Sequence, residues 1–221
     1  MEKKTVEVQT FNWGPCVIKI KTEENFKKIL ADEALKNEQD YSPKLAAQIK
    51  KATEYSKESQ KRILPVFAPY LELYRQCFQN YHRKDFIEQP EYALTSLWCN
   101  YQRQYEFNPP HDHDGILSFV IYLSIPDELK EENKAYTGRS CGPGGIQFIY
   151  GEGAGDSAHC LSDFPKEGEM FIFPAWLKHW VFPFRSDVTR VSVSGNVHIT
   201  NLSSLNIDKN NLATKAHDKK E

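Results

Sequence analysis

Four residues in this chain have types and spacing that could do chemistry together. His111 and His113 lie in the stretch NPPHDHDGILSFVIYLS, from Asn108 to Ser124. Two prolines stop any helix before them and hold the chain extended. In an extended segment residues i and i+2 share a face, so the two imidazoles project together and Asp112 and Asp114 project the other way. Paired imidazoles at the mouth of an apolar strand suggest a metal site that needs a third ligand. His179 supplies a candidate, in the stretch EMFIFPAWLKHWVFPFRSDVTRVSVSGN from Glu169 to Asn196. The strand that follows puts Arg190, Ser192, Ser194 and Asn196 on one face and Val191, Val193 and Val197 on the other. A row of Arg, Ser, Ser and Asn does not suit a dry core and must face solvent or line a polar pocket. His179 and Arg190 are eleven residues apart across a short connection, so neighbouring strands can carry them. One can hold a metal while the other holds an anion beside it. Taken singly, the HxH pair reads as loop histidines, His179 as a core histidine and Arg190 as the partner of Asp187 or Asp163; the register of all four favours the metal reading.

The elements that must position these residues fall into two textures. Residues 5–20 read as two short strands around WGP. A helix follows Thr22, with Phe26, Ile29 and Leu30 on one face. Leu45, Ile49 and Ala52 predict a second helix from Lys44 to about Ser59. A third, opened by Pro69, carries Tyr70, Leu73, Tyr74, Cys77, Phe78 and Tyr81 as a core-facing stripe. After Pro90 the chain reads as strands: Leu97 to Tyr105, Leu117 to Ile125, Ile146 to Tyr150, Met170 to Phe173, His179 to Phe182 and Thr189 to Ile199. Segments 127–145 and 151–169 read as long functional loops or lids. Helices followed by many strands argue for an α+β chain whose working half is a sandwich or barrel.

The bulk numbers narrow the classes. A chain of 221 residues with 40% apolar and 13% aromatic residues can bury a substantial core in a single domain. A net charge of −2 gives no evident nucleic-acid patch and no attraction to an anionic membrane. No apolar run is long enough to span a bilayer, and MEKKTVEVQT lacks the apolar core of a signal peptide. Five scattered cysteines (Cys16, Cys77, Cys99, Cys141, Cys160) favour reduced thiols in the cytoplasm. His159, Cys160 and Cys141 lack paired zinc spacing, and the tail 207–221 is expected to be disordered.

HxH followed by LSFVIYL, then FPAWLKHWVFPF and RVSVSGN, resembles the iron(II)- and 2-oxoglutarate-dependent oxygenases, in particular a branch found in tailed phages and marine bacteria. The resemblance covers residues 97–198. It implies a double-stranded β-helix (jelly-roll) core with N-terminal helices packed on one side: a single domain over 1–206, with 1–90 as helical support and 91–206 as the core. It implies Fe(II) bound by His111, His113 and His179, and 2-oxoglutarate held by Arg190 and Ser192, with Tyr101 and Asn196 contributing. O2 would be the oxidant, an unidentified substrate would be hydroxylated, and succinate and CO2 would be co-products. The family's usual ligand triad carries a carboxylate where this chain has His113, so Asp112 and Asp114 are the alternatives there. A phage-encoded member would act in the host cytoplasm. Two other readings fit the residues: a cupin-type three-His enzyme that does not use 2-oxoglutarate, and a non-catalytic β-sandwich binding module. The first lacks the Glu that the first cupin motif places after HxH, and leaves Arg190 without a role.

Overall fold

The computed structural model describes residues 14–37, 39–83, 86–87, 89–153 and 158–201. The strand expected near residues 5–11 and the tail 207–221 lie outside them. Among the described residues ten strands form two antiparallel sheets. In chain order the strands are β1 (Ile18–Lys21), β2 (Ala52–Glu54), β3 (Tyr92–Gln102), β4 (Asn108–His111), β5 (Leu117–Ser124), β6 (Ile146–Ile149), β7 (Cys160–Asp163), β8 (Glu169–Pro174), β9 (Lys178–Val181) and β10 (Arg190–Ile199). The larger sheet has the order β1-β8-β5-β10-β3-β2 and the smaller one β4-β9-β6-β7. This is the jelly-roll of a double-stranded β-helix, in an α+β chain.

Helices α1 (Glu24–Ala34) and α2 (Lys57–His82) pack on the outer face of the larger sheet. Phe26, Leu30, Phe67, Leu71 and Tyr74 meet Leu97, Phe119, Ile121, Ile172 and Val193 there. A second apolar cluster, including Val120, Tyr122, Phe148, Phe171 and Phe173, lies between the two sheets. The larger sheet is therefore buried on both faces. That is why LSFVIYLS reads as a continuous apolar run and not as an alternation.

Several expectations change. The segment from Lys44 to Ser59 is not a helix: a 3-10 turn at Ser42–Lys44 leads to β2, which pairs with β3. Its apolar residues serve two different neighbours, since Ile49 lines the pocket described below and Ala52 is buried opposite Asn100. The third helix begins at Lys57, not Pro69, and runs through both Pro65 and Pro69. Both prolines are exposed. The carbonyls of Lys61 and Pro65, deprived of their helical donors, can be satisfied by water on that face. Ser56 caps the helix, accepting from the Ser59 amide at 3.1 Å. Residues 1–90 are not helical support alone, because β1 and β2 form the two edges of the larger sheet. The segments read as loops contain a helix, α3 (Asp127–Lys134), and the edge strand β7. All but one residue of β7 are exposed, so no hydrophobic alternation marks it.

Candidate active site

The metal candidates come from the smaller sheet. β4 pairs with β9 so that His111 lies opposite His179. His113 follows β4, and its amide donates to the Ala175 carbonyl at 2.9 Å. Gly115 then turns the chain into β5 with φ +108, and a Cβ there would meet the His198 ring and the Val197 carbonyl at 3.0 Å. The glycine in HDHDG is thus required by the close approach of β10. The three rings are 4.3–5.0 Å apart between centroids. One ligand atom from each lies within 4.8 Å of the others, so small side-chain rotations bring all three to one ion at about 2.1 Å. Among the described residues no carboxylate joins this group, and Asp112 and Asp114 are exposed.

The imidazoles are prepared as neutral donors. Burial holds His113 down to about 2 and His179 down to about 3, and the neighbouring rings add to the effect. Burial lowers His111 as well. At neutral pH all three are therefore unprotonated. The Nδ1 of His111 is 2.8 Å from the Pro109 carbonyl and the Nδ1 of His179 is 2.9 Å from the Leu177 carbonyl. A carbonyl only accepts, so these nitrogens carry the proton and leave Nε2 as the lone pair. Asn108 reaches the His111 Nε2 from 3.2 Å. Phe173 and Phe148 flank His179 at 4.7 and 5.8 Å, and the Trp98 ring is 5.7 Å from His113.

The anion candidate comes from the larger sheet. Its cavity face is a ladder of cross-strand rows: Arg190 with Gln102, Ser192 with Asn100 and Tyr122, Ser194 with Trp98 and Val120, and Asn196 with Ser96 and Ser118. The expected alternation of β10 is present: Ser192 and Ser194 line the pocket, while Val193 and Val197 enter the core under the helices. The imidazoles lie beside the Trp98 row. Arg190 begins the ladder four residues from Ser194, roughly 13 Å along the strand. Its own side chain and a five-carbon diacid together suit that span.

Arg190 is only 3% exposed. Neither suggested carboxylate pairs with it: Asp163 binds Lys19 at 3.0 Å, and Asp187 is exposed. Its Nη1 donates to the Gly144 carbonyl at 2.6 Å, and the guanidinium lies 5.2 Å from the Tyr122 ring centroid. Among the described residues the Arg190 Nε and the Tyr122 hydroxyl have no hydrogen-bond partner. Burial pushes the guanidinium pKa down. A buried cation and two orphaned donors fit an acceptor-only anion such as a dicarboxylate. Three neutral imidazoles fit a divalent iron ion.

Two of the expected co-substrate residues are not in this pocket. Tyr101 faces the other side of β3, with Leu97 and Cys99 against the helix-side core and with the Lys51 ammonium 4.5 Å from its ring. Asn100, one residue earlier, takes the pocket side instead. Asn196 shares the Arg190 face but is tied to Ser118 at 2.8 Å, beyond the residues that line the pocket. Tyr122 is the residue that sequence reasoning missed. It lies inside an apolar run, and only its register opposite Ser192 marks it as part of the polar row.

Residues 96–196 match the family described as "Putative 2OG-Fe(II) oxygenase". No curated protein matches the chain in sequence. Among solved structures, the fold is similar to a 2OG-Fe(II) oxygenase family oxidoreductase from Burkholderia pseudomallei (TM-score 0.55, 11% identity, 82% of this chain and 84% of that one). It is also similar to a Pseudomonas putida prolyl-4-hydroxylase (0.53, 12%, 83% and 92%). A third is HygX from Streptomyces hygroscopicus, solved with nickel, 2-oxoglutarate and hygromycin B (0.52, 10%, 86% and 84%). The fold and the matched segment, which spans all three histidines and Arg190, define an oxygenase of the jelly-roll class. The matched segment, just under half of the chain, is that of an iron(II)- and 2-oxoglutarate-dependent oxygenase, a class of oxidoreductase. The family match implies Fe(II) as cofactor, with 2-oxoglutarate and O2 as co-substrates.

Proposed function

We propose that the chain hydroxylates a C–H bond of a substrate other than its co-substrate, with His111, His113 and His179 as the iron ligands and Arg190, Ser192 and Tyr122 as the 2-oxoglutarate anchor. One observation carries this reading. A buried guanidinium without a carboxylate partner among the described residues shares a pocket with three converging imidazoles. Iron(II) held by these histidines would supply, with 2-oxoglutarate and O2, oxidative decarboxylation of the co-substrate to succinate and CO2, coupled to hydroxylation. The chain's own residues prepare that chemistry. Three neutral ligands leave the full metal charge for a dianion to offset, and Arg190 adds a fixed positive group at the far end. Tyr122 offers its hydroxyl to the same carboxylate. Phe148, Phe173 and Trp98 keep water from the imidazoles.

We assign residues 1–206 to one oxygenase unit and its compartment to the cytoplasm, the host's if a phage encodes the chain. The described cysteines are all free thiols, and no described helix is long and apolar enough to cross a membrane. The test is to load the protein with iron(II) without oxygen and then add 2-oxoglutarate. The expected result is a weak visible charge-transfer band, followed by slow succinate release when O2 is admitted. Iron retained with neither signal would point to cupin-type chemistry. Failure to retain iron would leave a binding module.

A further inference from the structure

We propose that Asn133, which lies outside the pocket, positions the Arg190 guanidinium for 2-oxoglutarate by holding the loop that carries Arg190's one hydrogen-bond acceptor. The inference rests on Arg190 being the co-substrate anchor.

Arg190 is fully enclosed, yet the described residues give its guanidinium a single hydrogen bond, from Nη1 to the Gly144 carbonyl at 2.6 Å. The Tyr122 ring beneath it limits tilt, but a ring face does not fix rotation in its own plane. The direction of the remaining N–H groups therefore depends on where the Gly144 carbonyl points.

That carbonyl belongs to a tight loop between α3 and β6. Gly144 has φ +73, and a Cβ there would come within 3.0 Å of the buried Leu129 side chain of α3. The loop closes on itself through the Gly145 amide and the Gly142 carbonyl at 3.1 Å. Asn133, in the last turn of α3, clamps it from outside. Its Nδ2 donates to the Cys141 carbonyl at 2.6 Å and to the Pro143 carbonyl at 3.0 Å, on either side of Gly142. The preceding residue anchors the other connection to the Arg190 strand. Glu132 accepts from the Ser186 hydroxyl at 2.6 Å and from the Arg185 and Ser186 amides at 2.9 and 2.8 Å. Burial alone would raise the Glu132 carboxyl, but these hydrogen bonds hold it below its usual range. Successive α3 residues thus fix the loop before β6 and the turn before β10, and Arg190 sits between them. The segment expected to be a functional loop or lid acts here as a brace behind the anion site.

The experiment reads equilibrium binding, not turnover. 2-Oxoglutarate is titrated without oxygen into iron(II)-loaded wild type, Asn133→Ala, Asn133→Asp, Arg190→Lys and the Asn133→Ala/Arg190→Lys double variant. Iron(II) affinity is measured by chelator competition, and folding by thermal melting. Asn133→Asp keeps the shape and removes the donors, so it stands in if the alanine variant does not fold. Both Asn133 variants should raise the 2-oxoglutarate Kd about tenfold, the loss expected for one or two net hydrogen bonds, with iron affinity unchanged. In the Arg190→Lys background the Asn133 change should add less than about twofold, because the fork it orients is gone. Wild-type 2-oxoglutarate affinity in folded Asn133 variants, with Arg190→Lys impaired, overturns the role of Asn133 alone. So does full additivity in the double variant. Wild-type affinity in Arg190→Lys overturns the anchor assignment itself, and this inference with it.

Discussion

Replacing Arg190 by methionine should make the ligand-free protein more stable and its co-substrate binding far weaker. The two effects have opposite sign because the guanidinium is placed for a partner that the described residues do not supply. It is 3% exposed, has no carboxylate among the ion pairs of the described residues, and leaves Nε unpaired. An uncompensated buried ion costs several kcal/mol, about 4 as a working figure. Against that stand the hydrogen bond to Gly144, about 1 kcal/mol, and the contact with the Tyr122 ring, about 1 kcal/mol. Methionine is unbranched and fills irregular space, so little cavity should remain. The net expectation is a gain of about 2 kcal/mol, or about 4–8 °C in Tm for a chain of this length. Binding should lose about 2–5 kcal/mol, from roughly 30-fold to several thousand-fold, as expected for removing one side of a buried hydrogen-bonded charge pair. Thermal melts of the iron-free protein measure the first effect. Melts with iron(II) and 2-oxoglutarate under argon measure the second, as loss of the ligand-induced shift. A variant that melts lower than wild type when iron-free, yet keeps the full 2-oxoglutarate shift, would mean that Arg190 is a satisfied structural group and would refute the reasoning.

Alanine at His111, His113 or His179 should each weaken iron(II) binding by more than about 100-fold in a chelator competition, while Asp112→Ala and Asp114→Ala stay within about twofold. A large loss at either aspartate would return a carboxylate to the ligand set. Glu33 is the clearest pH-linked group in the helical layer, held down to about 2 by Arg62, then Lys36 and Ser59. Its folded pKa lies below the unfolded value of 4.5, so its stabilisation is fully present above that pH and is lost as pH falls toward 2. Glu33→Gln should therefore cost about 2 kcal/mol in denaturant unfolding at pH 7, with Arg62 half-exposed and the pair discounted for screening. The gap to wild type should close between pH 4.5 and 2, and a gap independent of pH would remove ionisation of Glu33 as its cause.

The sequence by itself determined whatever depends on one segment's own periodicity. HDHDG after two prolines puts two imidazoles on one side and two carboxylates on the other, because an extended segment alternates whether or not it is paired in a sheet. The same alternation separates Arg190, Ser192 and Ser194 from Val191, Val193 and Val197. Order and spacing along the chain were also enough to show the likeness to the oxygenases. The tertiary structure decided everything that depends on a partner. Lys44 to Ser59 has apolar spacing that suits a helix, but Ala52 gains more by joining the edge of β3 and Ile49 by closing the pocket. Pro65 and Pro69 stay inside α2 because its opposite face is committed to the sheet and theirs to solvent. Tyr101 and Asn100 differ by one residue, and nothing local tells which one faces the pocket; the register against Val191 and Ser192 does. Tyr122, Asn133 and Gly144 carry no signal in the chain, since each acts through a group distant in sequence. Alternation is a property of one strand, whereas register and the place of a buried charge arise only when strands and loops meet.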